Sequence, residues 1–224
     1  MPLTLKNFYK QWWQPWANTV AYYPLTSAST TNDMKWSWTA YNLTNSWVSF
    51  WTNAWVDCAS FSSSSYLSNN SFGVPQWKVA LTVSAWVYYT SVTNNLYSFF
   101  SMWATWHKAF ANANCQPINI TDYWNDVHSS VNAQQWQWYH IALTAEQWNN
   151  NWKIYVNCVD VTSWWAVSSY AWIGWTNFRI NWFFWQSWYG INWYMSNFIV
   201  ENATRTAQEI SDYYNQTKSL YWIS

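Results

Sequence analysis

"ALTVSAWVYY", residues 80–89, decides the fold. Leu81, Val83, Ala85 and Val87 alternate with Thr82, Ser84, Trp86 and Tyr88. That period of two belongs to a β-strand, whose successive side chains point to opposite faces of a sheet. Runs of the same kind recur on both sides: "TVAYYPL" (19–25), "WVSF" (47–50), "LYSFFSM" (96–102), "WYHIALTA" (138–145), "WKIYVN" (152–157), "FRINWFF" (178–184) and "YMSNFIVEN" (194–202). Asn, Ser and Thr separate them, and helical periodicity is almost absent between them. The reading is an all-β protein, an antiparallel two-sheet β-sandwich with jelly-roll architecture.

Only "TAQEISDYYNQ" (206–216) has helical spacing. Ala207, Ile210 and Tyr214 would share a face, with Thr206 or Thr204 as the cap, and such a helix would close one edge of the sandwich. Residues 103–136, rich in Asn, Ala and Gln, predict shorter strands with long loops. The expected organisation is an arm or connector over 1–17, one sandwich domain over 18–217 and a tail over 218–224.

With 224 residues the chain is long enough to bury a full core as a single domain. Nine basic and nine acidic residues cancel, so the basic face that nucleic-acid binding requires is missing. No apolar run reaches the length of a membrane span. The N-terminus lacks the basic-then-apolar order of a secretory signal. Cys58, Cys115 and Cys158 are an odd number, which allows one disulfide with a free thiol, or three reduced cysteines.

Composition holds one contradiction. There are 26 Trp and only 3 Gly, although turns depend on glycine's freedom to reach positive φ. In "INWFFWQSWYGINWYMSNFIV" (180–200) tryptophans crowd what otherwise reads as a turn between strands. Asn181-Trp182, Asn192-Trp193, Ser46-Trp47, Ser163-Trp164 and Ser187-Trp188 stand where Asn-Gly and Ser-Gly mark hairpins. Two readings account for this. Either most of these tryptophans are glycine in the native protein, the source reading UGA as Gly, or the indoles are genuine and form a stacking or membrane-facing surface. Trp86, Trp138 and Trp152 sit in strand contexts that suit an indole under either reading.

With glycine at the doubtful positions, the chain resembles laminin-G-like domains of the concanavalin A-like superfamily in their bacterial form. The stretches that carry this are "VAYYPL", "NDMKWSWTAYNLTNSWVSF", "ASFSSSSYL", "LTVSAWV", "QWYHIALT", "WKIYVNCV", "FRI" and "YMSNFIVENATRTAQEI". They follow family order over roughly residues 18–215. The resemblance implies a lectin-like module with Trp86, Trp138 and Trp152 between the sheets. It also implies a possible Ca²⁺ site at Asp33, assisted by Asn197 from the late strand. Two departures stand out. Asn157 is followed by Cys158 where the family turns on Asn-Gly, and Ser196-Asn197 replace the acidic residues often found in the penultimate strand.

Catalytic signatures are lacking. Glycosidases need two carboxylates facing one sugar, and the nine acids show no alternating pair on a strand. Nucleophile elbow, phosphate loop and zinc spacing are missing. The densest polar group is "DYWNDVH" (122–128), with His107 upstream. It could ligate a metal or line a loop, and Asp122, Tyr123, Asn125 and His107 are the candidate ligand-binding residues, because rings stack on sugars while amides and carboxylates bond their hydroxyls. His140, alternating with core residues, reads as a structural histidine. Sequons at Asn42, Asn69, Asn119, Asn202 and Asn215 are expected by chance in so Asn- and Thr-rich a chain. The functional expectation is a non-enzymatic extracellular or cell-surface module for a glycan or surface protein. The alternatives are a virion tail or spike component, a divergent glycoside hydrolase, and a structural spacer.

Overall fold

The computed structural model describes residues 18–34, 41–53, 55–72, 80–91, 98–104, 107–113, 118–122, 125–146, 151–163, 177–181 and 192–223. Period-two stretches become strands: β1 (Thr19–Tyr23), β2 (Thr44–Ser46), β3 (Ser49–Asn53), β4 (Val56–Phe61), β5 (Tyr66–Asn69), β6 (Leu81–Tyr89), β7 (Ser98–Ala104) and β8 (His107–Ala113). The second half supplies β9 (Ile118–Asp122), β10 (Asn125–His128), β11 (Trp138–Ala145), β12 (Trp152–Val156), β13 (Val159–Asp160), β14 (Asn177–Ile180) and β15 (Trp193–Glu201). Among the described residues they form two antiparallel sheets. The first runs β13-β12-β11-β6-β15-β4-β3, with β1 also paired to β15, and the second runs β10-β9-β8-β7-β14-β5-β2. The expected jelly-roll sandwich is the fold observed.

The alternation in β6 sorts its side chains into two cores. Leu81, Val83, Ala85, Val87 and Tyr89 join the cluster between the sheets, with Tyr23, Leu67, Phe178, Met195 and Phe198. Trp86 points the other way, into a second cluster with Tyr22, Trp138, Ile199, Tyr213, Tyr214 and Tyr221. This corrects the expectation for Trp86 and Trp138, which lie on the outer face of the first sheet rather than between the sheets. Trp152 packs against the inner cluster. Trp193 is not a turn residue: it opens β15 and is buried in the inner core.

What covers Trp86 is the one described helix, α1 (Ala207–Thr217), followed by a 3₁₀ turn over Lys218–Tyr221. Thr206 caps α1 through a reciprocal box, its hydroxyl accepting from Glu209 N while Glu209 accepts from Thr206 N. The buried face is Ile210, Tyr213, Tyr214 and Thr217; Ala207 is exposed. Ile210 packs on Ala142 and Tyr155, so α1 lies across the outer face of the first sheet instead of closing an edge. Tyr221 stacks on Trp86 at 4.0 Å and 11°, and the Trp86 indole N–H donates to Thr217 at 3.3 Å. His140 is buried beside Trp86, Tyr213 and Tyr214, a structural residue as its alternation implied.

Among the described residues four tryptophans have left-handed backbone: Trp47 (φ 65), Trp55 (φ 69), Trp136 (φ 67) and Trp222 (φ 60). Each occupies a place where geometry calls for glycine. Trp55 lies between Asn53 and Val56, which pair to close the β3–β4 hairpin. Trp222 is the left-handed cap of the 3₁₀ turn. All four are 66–88 % exposed. At the β12–β13 turn, Asn157 (φ 48) and Cys158 (φ 66) are both left-handed, the backbone that Asn-Gly favours. Among the described residues Cys58 and Cys158 are free thiols, and burial pushes the Cys58 thiol up to about 12. Cys115, Trp164, Trp182 and Trp188 lie outside the described residues, as do residues 1–17.

Candidate functional site

Strand register assembles the polar candidates. Asp122 pairs with Asn125 across β9 and β10. On the other side of β9, Thr121 pairs with Phe110 of β8, and His107 begins β8, three residues further in the direction of Asp122. His107 pairs with Ala104 at the end of β7. His107, Asp122 and Asn125 therefore share one end of the second sheet. Tyr123 lies outside the described residues. His128 pairs with Asn119, three rungs from the Asp122–Asn125 pair and away from His107. Among the described residues no group of three His, Cys, Asp or Glu could hold a metal ion.

Asp33 and Asn197 do different jobs. The Asp33 carboxylate accepts from Tyr22 N and Tyr41 N, each at 3.0 Å, and Asp33 N donates to Asn42 Oδ1 at 2.9 Å. It staples the first long loop to β1 and to the start of β2. That is the same end of the second sheet as His107 but toward the opposite edge, four strands and roughly 19 Å away at about 4.8 Å per strand. Asn197 sits in the β15 bulge at φ 54. Its Oδ1 accepts from the Tyr22 hydroxyl at 3.0 Å and its Nδ2 donates to the Tyr221 hydroxyl at 2.5 Å. The same tyrosine hydroxyl bonds Ser196 Oγ at 3.1 Å. The Asn197 side chain thus anchors the C-terminal turn under the outer cluster. Tyr22 joins the two, its backbone N–H donating to Asp33 and its hydroxyl to Asn197.

Other described carboxylates also have structural partners. Asp57 takes Ser27 N and Oγ at 2.8 and 2.7 Å, and Asp160 pairs with Lys153 at 3.2 Å. Arg205 bridges Glu201 at 2.6 Å and Glu209 at 2.7 Å. Burial raises the pKa of Glu201, against the pull of Arg205.

One arrangement was missed from sequence. Across the outer face of the first sheet the pairings Ser49–Ser60, Ser60–Tyr194, Tyr194–Tyr88 and Tyr88–Trp138 make one transverse row. Ring centroids of Tyr88 and Tyr194 are 5.8 Å apart; Trp51 lies 5.6 Å from Tyr194 and Trp136 6.5 Å from Tyr88. The signal available was parity: Tyr88 has the phase of Thr82, Ser84 and Trp86.

The class these features define is an antiparallel two-sheet β-sandwich of jelly-roll type with one short C-terminal helix. No protein family matches the sequence, and no curated protein does. Three solved structures place the fold. The binding domain of Paraclostridial Mosquitocidal Protein 1 superposes with TM-score 0.68 at 12% identity, over 88% of this chain and 52% of that one. A botulinum neurotoxin type C structure, whose cell entry depends on two ganglioside molecules, gives 0.66 at 15% over 91% and 51%. Domain 4 of AbnA, an extracellular arabinanase from Geobacillus stearothermophilus solved with arabinotriose, gives 0.65 at 16% over 87% and 97%. The chain spans about half the length of the toxin domains and nearly all of the arabinanase domain. At these identities the likeness is one of fold.

Proposed function

We propose that this chain is a non-enzymatic, laminin-G-like recognition module that binds a carbohydrate, or a protein surface carrying one, outside the cell. The observation that carries the reading is the β7–β10 ladder, which gathers His107, Asp122 and Asn125 at one end of the second sheet with Tyr123 between the last two in sequence. Jelly rolls commonly recognise ligands with such end loops. The arabinotriose-bound arabinanase domain, matched almost end to end, supports carbohydrate as the ligand class. Against hydrolysis, Asp33, Asp57, Asp160, Glu201 and Glu209 hold structural partners. A glycan array probed with the purified chain is the test, repeated with Asp122→Ala/Asn125→Ala. Binding that falls in the double variant supports the site. Released reducing ends would point instead to a hydrolase, and neither binding nor release to a spacer.

The same reading holds that most tryptophans are glycine in the native protein, UGA being read as Gly. Its support is local: Trp47, Trp55, Trp136 and Trp222 combine left-handed backbone with exposed side chains, whereas Trp86 and Trp138 are buried in strands. A bulky residue at φ > 0 is a genuine outlier. Peptide mass spectrometry of protein from its native source decides it. Glycine at 47, 55, 136 and 222 with tryptophan at 86, 138 and 152 is the expected result; tryptophan throughout would make the stacking surface the leading account.

A further inference from the structure

We infer a second ligand site, on the outer face of the first sheet, for a neutral saccharide stacked on Tyr88 and Tyr194. Asn181, which follows β14, donates to Ser62 O; Ser62 follows Phe61, and Phe61 pairs with Trp193 at the start of β15. The tyrosine pair therefore sits at the end of the sandwich opposite His107, Asp122 and Asn125. The two rings are neighbours on adjacent strands, each half-buried. Their lower surfaces are held by the outer cluster, where Leu220 and Ile223 also pack. Both rings are thus fixed in orientation before a ligand arrives, which lowers the entropic cost of stacking.

The chemistry around the rings selects an uncharged polyhydroxylated ligand. Ser60 and Ser49 continue the row on one side, and Trp138 ends it on the other. None of the residues in the row carries a charge. Aromatic faces offer flat apolar area to the C–H side of a sugar ring, and the serine hydroxyls at the rim meet its hydroxyls. Trp51 and Trp136 extend the platform at both ends. The site does not depend on them, because Tyr88 and Tyr194 are tyrosine whether or not UGA is read as glycine.

The test is titration of the full chain with a panel of neutral linear oligosaccharides, arabinotriose among them, followed by aromatic fluorescence. Tyr88→Ala/Tyr194→Ala is compared with Tyr88→Phe/Tyr194→Phe, which keeps the stacking faces, and with Asp122→Ala/Asn125→Ala. The expected result is a component weakened at least about tenfold by the alanine pair, retained by the phenylalanine pair and untouched by the Asp122/Asn125 pair. Should the alanine pair unfold, the phenylalanine and Asp122/Asn125 variants still discriminate, since a fluorescence change lost with Asp122 and Asn125 belongs to the other end. Binding that follows Asp122/Asn125 alone overturns this site and leaves the recognition reading standing. No response to any saccharide at millimolar concentration overturns it outright.

Discussion

Residue by residue, the left-handed positions tell most. A tryptophan at positive φ sets its Cβ against the following carbonyl at about 1–2 kcal/mol, and exposed indoles at 47, 55, 136 and 222 gain little burial in return. Replacing Trp55 by Gly is therefore expected to stabilise the chain by about 1 kcal/mol, read as a higher denaturant midpoint at unchanged slope. Cys158→Gly should act in the same direction, because it restores Asn-Gly to a turn whose two residues are both left-handed. Trp86→Gly should cost several times as much, about 3–5 kcal/mol for a buried aromatic. The anomaly itself was legible in the sequence, since Ser46-Trp47 has the pattern of a glycine turn. Trp193 shows the limit of that signal: preceded by Asn like a turn residue, it is a buried strand residue, and only the pairing of β15 with Phe61 and Tyr89 reveals it.

Among the elements, the strands were legible because period two is local, while the placing of α1 was not. Its cap and length follow from Thr206 and Glu209. Whether it covers an edge or a face depends on which aromatics of distant strands are left exposed, here Trp86, Trp138 and Tyr22. The candidate site divides in the same way. The cluster "DYWNDVH" could be read directly, its meeting with His107 needed the β8–β9 register, and the Tyr88–Tyr194 row joins strands far apart in the chain. His140, on the face of β11 that α1 covers, gives this interface a measurable signature. Its ring nitrogens have no hydrogen-bond partner, and burial depresses its pKa from 6.5 to about 3. The unfolded chain takes up the proton first as pH falls, so the contribution is fully present above pH 6.5 and is lost progressively between 6.5 and 3. The expected slope is about 1.4 kcal/mol per pH unit in that window. His140→Leu should flatten it, as seen by comparing denaturant midpoints at pH 7 and pH 4.5; an unchanged slope would mean the ring reaches water.

At the scale of the whole molecule, strain and surface act together. Four left-handed tryptophans cost about 4–8 kcal/mol in sum, comparable with the ~5–15 kcal/mol of stability of a typical domain. The same four indoles stand out into solvent at turns, where large apolar groups favour association between copies. A chain carrying Trp47→Gly, Trp55→Gly, Trp136→Gly and Trp222→Gly is therefore expected to gain stability and to lose self-association at once. Denaturant unfolding and size-exclusion chromatography of the two chains side by side measure both. A gain in stability with association unchanged would place the sticky surface elsewhere, with exposed Trp51 beside Tyr194 the first place to look. No gain in stability would mean that the turns relax around tryptophan, and the case for glycine at these positions would then rest on the native peptide masses alone.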